Sequence, residues 1–261
     1  MHSRNILVTL LVVTTLLPAA DFWTVREPSG WSRSEIKRMV TDSPWAKEAH
    51  ISVQGDMGAI VDTAQSGRPS PVDADPSLSD TGVKHDMGGG IASAPALQHI
   101  VVRWDSALPV SEACAQGDLE EKDLFSCASK LFYLSGLSKK FEDLAKEFYV
   151  VSVSNYPKML APRRAQEAPQ HSAAANAALE QMGQRIQQRT VIKRKGKSPF
   201  KPAHVVVLPA GRVLLLIVLF PRSEALTLDD HELLFQLTDE TVEIAARFNL
   251  RKMVYKDILQ L

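Results

Sequence analysis

Four of the seven histidines, His50, His99, His204 and His231, stand immediately before apolar, strand-like runs, and Asp229 and Asp230 precede the last of them. Neutral imidazole with carboxylate is a ligand set for zinc or copper, and His231 with Asp229 or Asp230 would serve a hydrolase, with or without a metal, assembled only in space. Such convergence needs strand starts at one sheet edge. Antiparallel neighbours place successive starts at opposite edges, so four separate, half-exposed histidines are the expectation. No catalytic, cofactor-binding or metal-ligating residue is assigned on this basis.

Local signatures add nothing to that set. Gly196-Lys197-Ser198 imitates the end of a phosphate-binding loop, but Val191 stands where the first glycine belongs and Pro199 opposes the helix that must follow. There is no G-x-S-x-G elbow, His231-Glu232 lacks a second histidine four positions after the first, and Asp73-Ala74-Asp75 runs into Pro76 where a calcium loop would continue its ligands. Cys114 and Cys127 have two readings that the sequence leaves open. They form a disulfide worth about 3 kcal/mol of loop closure, or Cys127 is a free buried thiol on an apolar helical stripe.

Arg185, Arg189, Lys193, Arg194, Lys195, Lys197 and Lys201 form a basic stretch. With Phe200 as its one aromatic, it lacks the stacking rings of a nucleic-acid surface. A solvated helix end and loop is the expected role; the partner it would otherwise fit is an envelope component or anionic polymer, met through Lys193, Arg194, Lys195 and Lys197. Trp23, Trp31, Trp45 and Trp104 are expected as core anchors rather than a glycan platform. Arg222, in Phe220-Pro221-Arg222-Ser223, is expected to be solvated beyond a strand that Pro221 ends.

These groups must be positioned by a chain of 261 residues with 30 basic and 30 acidic side chains, 45% hydrophobic and 7% aromatic. Zero net charge and this apolar content exclude a disordered polyelectrolyte, and two cysteines exclude a disulfide-dense scaffold or a cysteine-based cluster. Arg4, the apolar run Ile6 to Leu17 and Pro18-Ala19-Ala20 read as a signal peptide over residues 1–20, too short to span a bilayer, with cleavage before Asp21 and export to the periplasm or medium. Residues 21–261 then form a single α+β domain: a largely antiparallel sheet with helices packed on one side, a C-terminal β-meander and a disordered insert. That insert, 62–96, is more than half Gly, Pro, Ser and Asp and has no aromatic residue.

Individual elements follow from pattern. Ser32 with Glu35 is a capping box, and Trp31 and Ile36 are spaced as its hydrophobic staple. Strands are expected at His50-Ile51-Ser52-Val53, at His99 to Trp104 and at Phe148 to Val153; helices are expected within Val110–Ser135, after Ser138 and over Ala173–Gln188. Asn155 to Gln170, with three prolines, reads as a loop, and Lys193 to Lys201 as a polar connection. Val205 to Leu208 and the unbroken apolar run Val213 to Phe220 make one hairpin. The stretch in which His231, Leu233, Phe235 and Leu237 alternate with Glu232, Leu234 and Gln236, and the alternating stretch from Val242, make a second, with one dry face.

Trp31-Ser32 through Ser43-Pro44-Trp45-Ala46, Val101-Val102-Arg103-Trp104 with Ala107-Leu108-Pro109, Phe220-Pro221-Arg222-Ser223 and Phe248 to Tyr255 together resemble an uncharacterised family of exported bacterial proteins. The resemblance implies export and a shared α+β body. It implies no activity, cofactor or site residue. The leading expectation is therefore an exported, non-catalytic interaction or structural module, with the hydrolase as its alternative.

Overall fold

The computed structural model describes residues 21–53, 99–116, 127, 141–167, 172–211, 213–239 and 242–261. The expected leader, 1–20, and the expected insert, 62–96, lie outside the described residues. Helix α1 (Phe22–Val25) buries Phe22 and Trp23, whose rings stand edge-on to each other and to Trp31 and Trp45. Helix α2 (Arg33–Thr41) begins with the expected capping box: Glu35 N donates to Ser32 Oγ and Ser32 N donates back to Glu35 Oε2. Its Ile36, Met39 and Val40 face the core. All four tryptophans are buried, so none is presented as a platform.

The strands divide between two antiparallel sheets and a short ribbon. The first sheet has the order β1 (Ala46–Glu48), β3 (Val101–Trp104), β4 (Phe148–Pro157), β7 (Val213–Pro221), β6 (His204–Ala210). The second has the order β2 (His50–Val53), β9 (Val242–Asn249), β8 (Glu232–Thr238), β5 (Thr190–Arg194), and β10 (Val254–Tyr255) pairs with β11 (Ile258–Leu259). One extended segment serves both sheets. β1 ends at Glu48 and β2 starts at His50, while Ala49 N donates to Ile100 O at 2.8 Å.

The run Val213 to Phe220 is covered on both faces because its two side-chain rows enter different clusters. Leu214, Leu216, Val218 and Phe220 join the main core with Trp104, Phe235 and Phe248. Leu215, Ile217 and Leu219 pack with Val150 and with Phe141 and Leu144 of α4 (Phe141–Glu147). Tyr156 ties the sheets together where β4 meets the turn after β8: its buried hydroxyl donates to Asp239 Oδ2 at 2.8 Å. Burial, with the neighbouring Asp239 carboxylate, raises the Tyr156 phenol well above its ordinary range.

Helix α6 (Ala173–Arg189) is capped by Ser172 and buries Ala178, Leu179, Met182 and Ile186. It lies against the edge strand β6 so closely that a Cβ on Gly183 would sit 2.8 Å from the Val205 carbonyl oxygen. A glycine is therefore what brings the helix onto that edge, and the helix covers a row of backbone groups that would otherwise invite strand addition.

The α+β class, the two hairpins and the helix over Ala173–Gln188 are as expected; several details differ. Asn155 to Gln170 is not simply a loop, since β4 continues to Pro157 and α5 (Arg163–Glu167) follows a 3-10 turn. The residues from Lys193 are not all connection: Thr190–Arg194 is the edge strand β5, continuous with the end of α6. Helix α3 (Leu108–Ala115) starts two residues before Val110 and carries Cys114. Leu124, Ala128, Leu131 and Phe132 lie outside the described residues, whereas Cys127 is buried and disulfide-bonded to Cys114, with 5.9 Å between their Cα atoms.

Candidate functional site: a charged groove beside β5

An open groove of about 410 Å3 lies where β5 ends beside the turn leading into β8. Its position follows from strand register. Lys193 pairs with Leu234 and Leu234 with Arg247, so these three form one row on the outer face of the second sheet. With strands ~4.8 Å apart, the Lys193 and Arg247 backbones are about 10 Å from each other across Leu234. The adjacent row, Arg194, Leu233 and Phe248, points the other way and is buried. Period-two alternation thus sends Lys193 to solvent and Arg194 inward.

The inward arginine is committed to the protein. Arg194 forms an ion pair with Glu224 and lies over the Phe200 ring, 5.7 Å from its centroid. Lys197, although half exposed, donates its ammonium to Asp230 Oδ1 at 2.6 Å, and the Thr227 N–H donates to Asp230 Oδ2 at 2.9 Å. Two members of the basic stretch are therefore structural, which corrects the expectation that it is solvated throughout. Arg247 reaches Glu232 at 2.8 Å between exposed side chains. Lys193, Lys195 and Asp229 are exposed on the groove, and no ion pair engages them among the described residues.

Asp230 is the buried foot of the site. Burial pushes its carboxyl upward, but the Lys197 ammonium, the Thr227 N–H and the charge of Arg194 together outweigh that and hold it below the usual aspartate range. An acid depressed in the folded state contributes stability above its unfolded value, near 4, and loses it as pH falls toward the folded value. Asp230→Asn is accordingly expected to cost about 1–3 kcal/mol at neutral pH. Urea melts of both proteins should converge as the pH falls below about 4; a difference that stays constant through that range would remove the charge from the explanation.

His231 connects the turn to β8 with φ 55° and ψ −58°. That region is sparsely populated for a side chain with a Cβ and costs on the order of 1–3 kcal/mol. The strain is held by two bonds, His231 N to Leu228 O at 3.1 Å and Leu250 N to His231 O at 2.9 Å. It leaves the imidazole exposed on the groove beside Asp229.

The structure thus gathers Lys193, Arg194, Lys195, Asp229, Asp230 and His231 in one place, although the sequence offered them as two unrelated sets. It does not gather the histidines. His99 contacts Glu48 at 3.1 Å, His204 meets the Phe148 ring edge-on, and His50 pairs with Ala245 in the second sheet. Among the described residues no three His, Cys, Asp or Glu side chains are grouped to hold a metal ion. Arg222 also departs from expectation: it is half-buried, donates to the carbonyls of Ala145, Phe148 and Leu261, and covers the Tyr149 ring. Arg247 belongs to the groove with no local motif to mark it; the β9 alternation that buries Val242, Ile244, Ala246 and Phe248 is the signal that sends it outward.

Fold and groove together define a two-sheet α+β protein with a charged surface cleft. Among the described residues no helix is long and apolar enough to cross a membrane. Comparison of the chain with family models, curated proteins and solved structures finds no match.

Proposed function

We propose that this chain is an exported, non-catalytic interaction module of bacterial origin that meets an acidic envelope component through the groove beside β5. The observation that carries the reading is the pair of exposed ammonium groups, Lys193 and Lys195, set at the rim of an open cleft and left without acidic partners among the described residues. The Cys114–Cys127 disulfide supports export, because such bonds persist mainly in oxidising compartments. So do the charged start, apolar run and small residues before Asp21. N-terminal sequencing of protein recovered outside the cytoplasm should begin near Asp21; full-length protein confined to the cytosol would contradict export.

The interaction itself is tested with polyglutamate as the acidic partner. Lys193→Ala combined with Lys195→Ala should abolish retention on a polyglutamate matrix and leave stability within about 0.5 kcal/mol, since both side chains are exposed. Retention that survives the double substitution would place the contact elsewhere. The hydrolase reading draws its support from His231 beside Asp229 and Asp230. Against it, the Asp230 carboxylate is already neutralised by Lys197 and the Thr227 N–H. Stoichiometric zinc in purified protein, with hydrolysis that depends on His231, would favour that alternative.

A further inference from the structure

Subtracting the ion pairs from the groove leaves charges of both signs. Arg194 is spent on Glu224, Lys197 on Asp230 and Arg247 on Glu232. What faces solvent without a partner is two ammonium groups on the β5 side, Lys193 and Lys195, and one carboxylate on the turn, Asp229, with Leu234 half-buried between Lys193 and Arg247. A purely anionic partner satisfies the lysines and leaves Asp229 without one. A ligand with one amine and two carboxylates would satisfy all three unpaired groups.

We propose that the groove is a recognition site for short acidic peptides with a free amino group, the amine meeting Asp229 and the carboxylates meeting Lys193 and Lys195. This rests on the interaction-module reading and names the chemistry of its partner. The volume of about 410 Å3 lies within the ~300–1,000 Å3 typical of small-ligand sites. Leu234 supplies an aliphatic floor between the two cationic strand positions. The groove is open and its charges are exposed, so affinity is weak and falls with salt; each charge contributes through orientation and selectivity more than through strength. The backbone bonds of His231 to Leu228 and Leu250 anchor the turn that carries Asp229 beside the groove.

The test is a nuclear magnetic resonance titration of the full chain with three probes: the dipeptide Ala-Glu, its N-acetyl derivative and polyglutamate. Ala-Glu should shift the amide signals of Lys193, Lys195 and Asp229, and acetylation should weaken binding about threefold to fivefold, the scale of one exposed ion pair. Asp229→Asn should erase the difference between free and acetylated dipeptide, and Lys193→Gln with Lys195→Gln should abolish the shifts from both. If acetyl-Ala-Glu binds as well as Ala-Glu, or Asp229→Asn leaves the preference for the free amine intact, the peptide proposal fails. Lysine-dependent binding of polyglutamate would then still support the broader reading. If none of the three probes shifts the groove signals, both fail.

Discussion

Ile217→Asp should yield no soluble, cooperatively folded protein. Ile217 has no exposed surface and lies in the central stretch of β7, between Leu215 and Leu219 and against Phe141 and Leu144 of α4. Its backbone neighbours are Ser152 on β4 and Val206 on β6, so an ionised carboxylate there has water on neither side. Burying an unpaired charge costs several kcal/mol even after relaxation, against a total stability of about 5–15 kcal/mol for a typical domain. Expression yield, circular dichroism and a urea melt measure the outcome. Recovery of soluble Ile217→Asp protein with a single sharp transition would overturn the placement of β7 inside the sheet.

That placement was legible because eight consecutive apolar residues have few other uses in a chain of this length. The alternation in β8 and β9 and the Ser32–Glu35 capping box were legible for the same reason: each is a local rule with a local signature. The division into two sheets was not. β2 pairs with β9, and nothing in either segment specifies a partner nearly two hundred positions away. Strand β5 carries no local signature because it follows α6 without a glycine or proline, and its Lys193 and Arg194 belong to one continuous basic run.

The groove was partly visible in its ingredients. His231, Asp229, Asp230 and the lysines were singled out, yet their convergence depends on β5 lying beside β8, a pairing that hydrophobic period does not reveal. Arg194, Lys197 and Arg222 show the complementary difficulty. A long cationic side chain reads as solvated unless the carboxylates and carbonyls that receive it are known, and Glu224, Asp230 and the carbonyl of Leu261 are all remote from those cations in sequence.

Arg103→Met should destabilise the protein by about 3–5 kcal/mol, the range for leaving one member of a buried ion pair behind. Arg103 on β3 and Asp105 in the turn that follows are buried together: Arg103 Nε donates to Asp105 Oδ1 at 2.6 Å and its Nη1 donates to the Val40 carbonyl. Burial pushes the Asp105 carboxyl upward, opposed by the Arg103 charge and hydrogen bond and by the Ser152 hydroxyl, so removal of Arg103 leaves a buried acid without its cationic partner. Arg103 Nη2 and Asp105 Oδ2 have no hydrogen-bond partner among the described residues, which limits what the pair returns for its desolvation. The double variant Arg103→Met with Asp105→Leu should therefore recover most of the loss. A urea-melt double-mutant cycle decides the matter: if the two substitutions cost the sum of their separate effects, the residues are not energetically coupled and the ion pair is incidental.

The passage of one strand through Ala49 ties the fates of the two sheets. Residues on either side of that alanine are laddered to Val101, Val102 and Arg103 in one direction and to β9 in the other, so one continuous segment carries both ladders. A pull on one sheet is therefore transmitted through Ala49 to the other. Slow amide exchange should accordingly extend across both sheets as one protected unit, with the same opening free energy at Val102 as at Ile244.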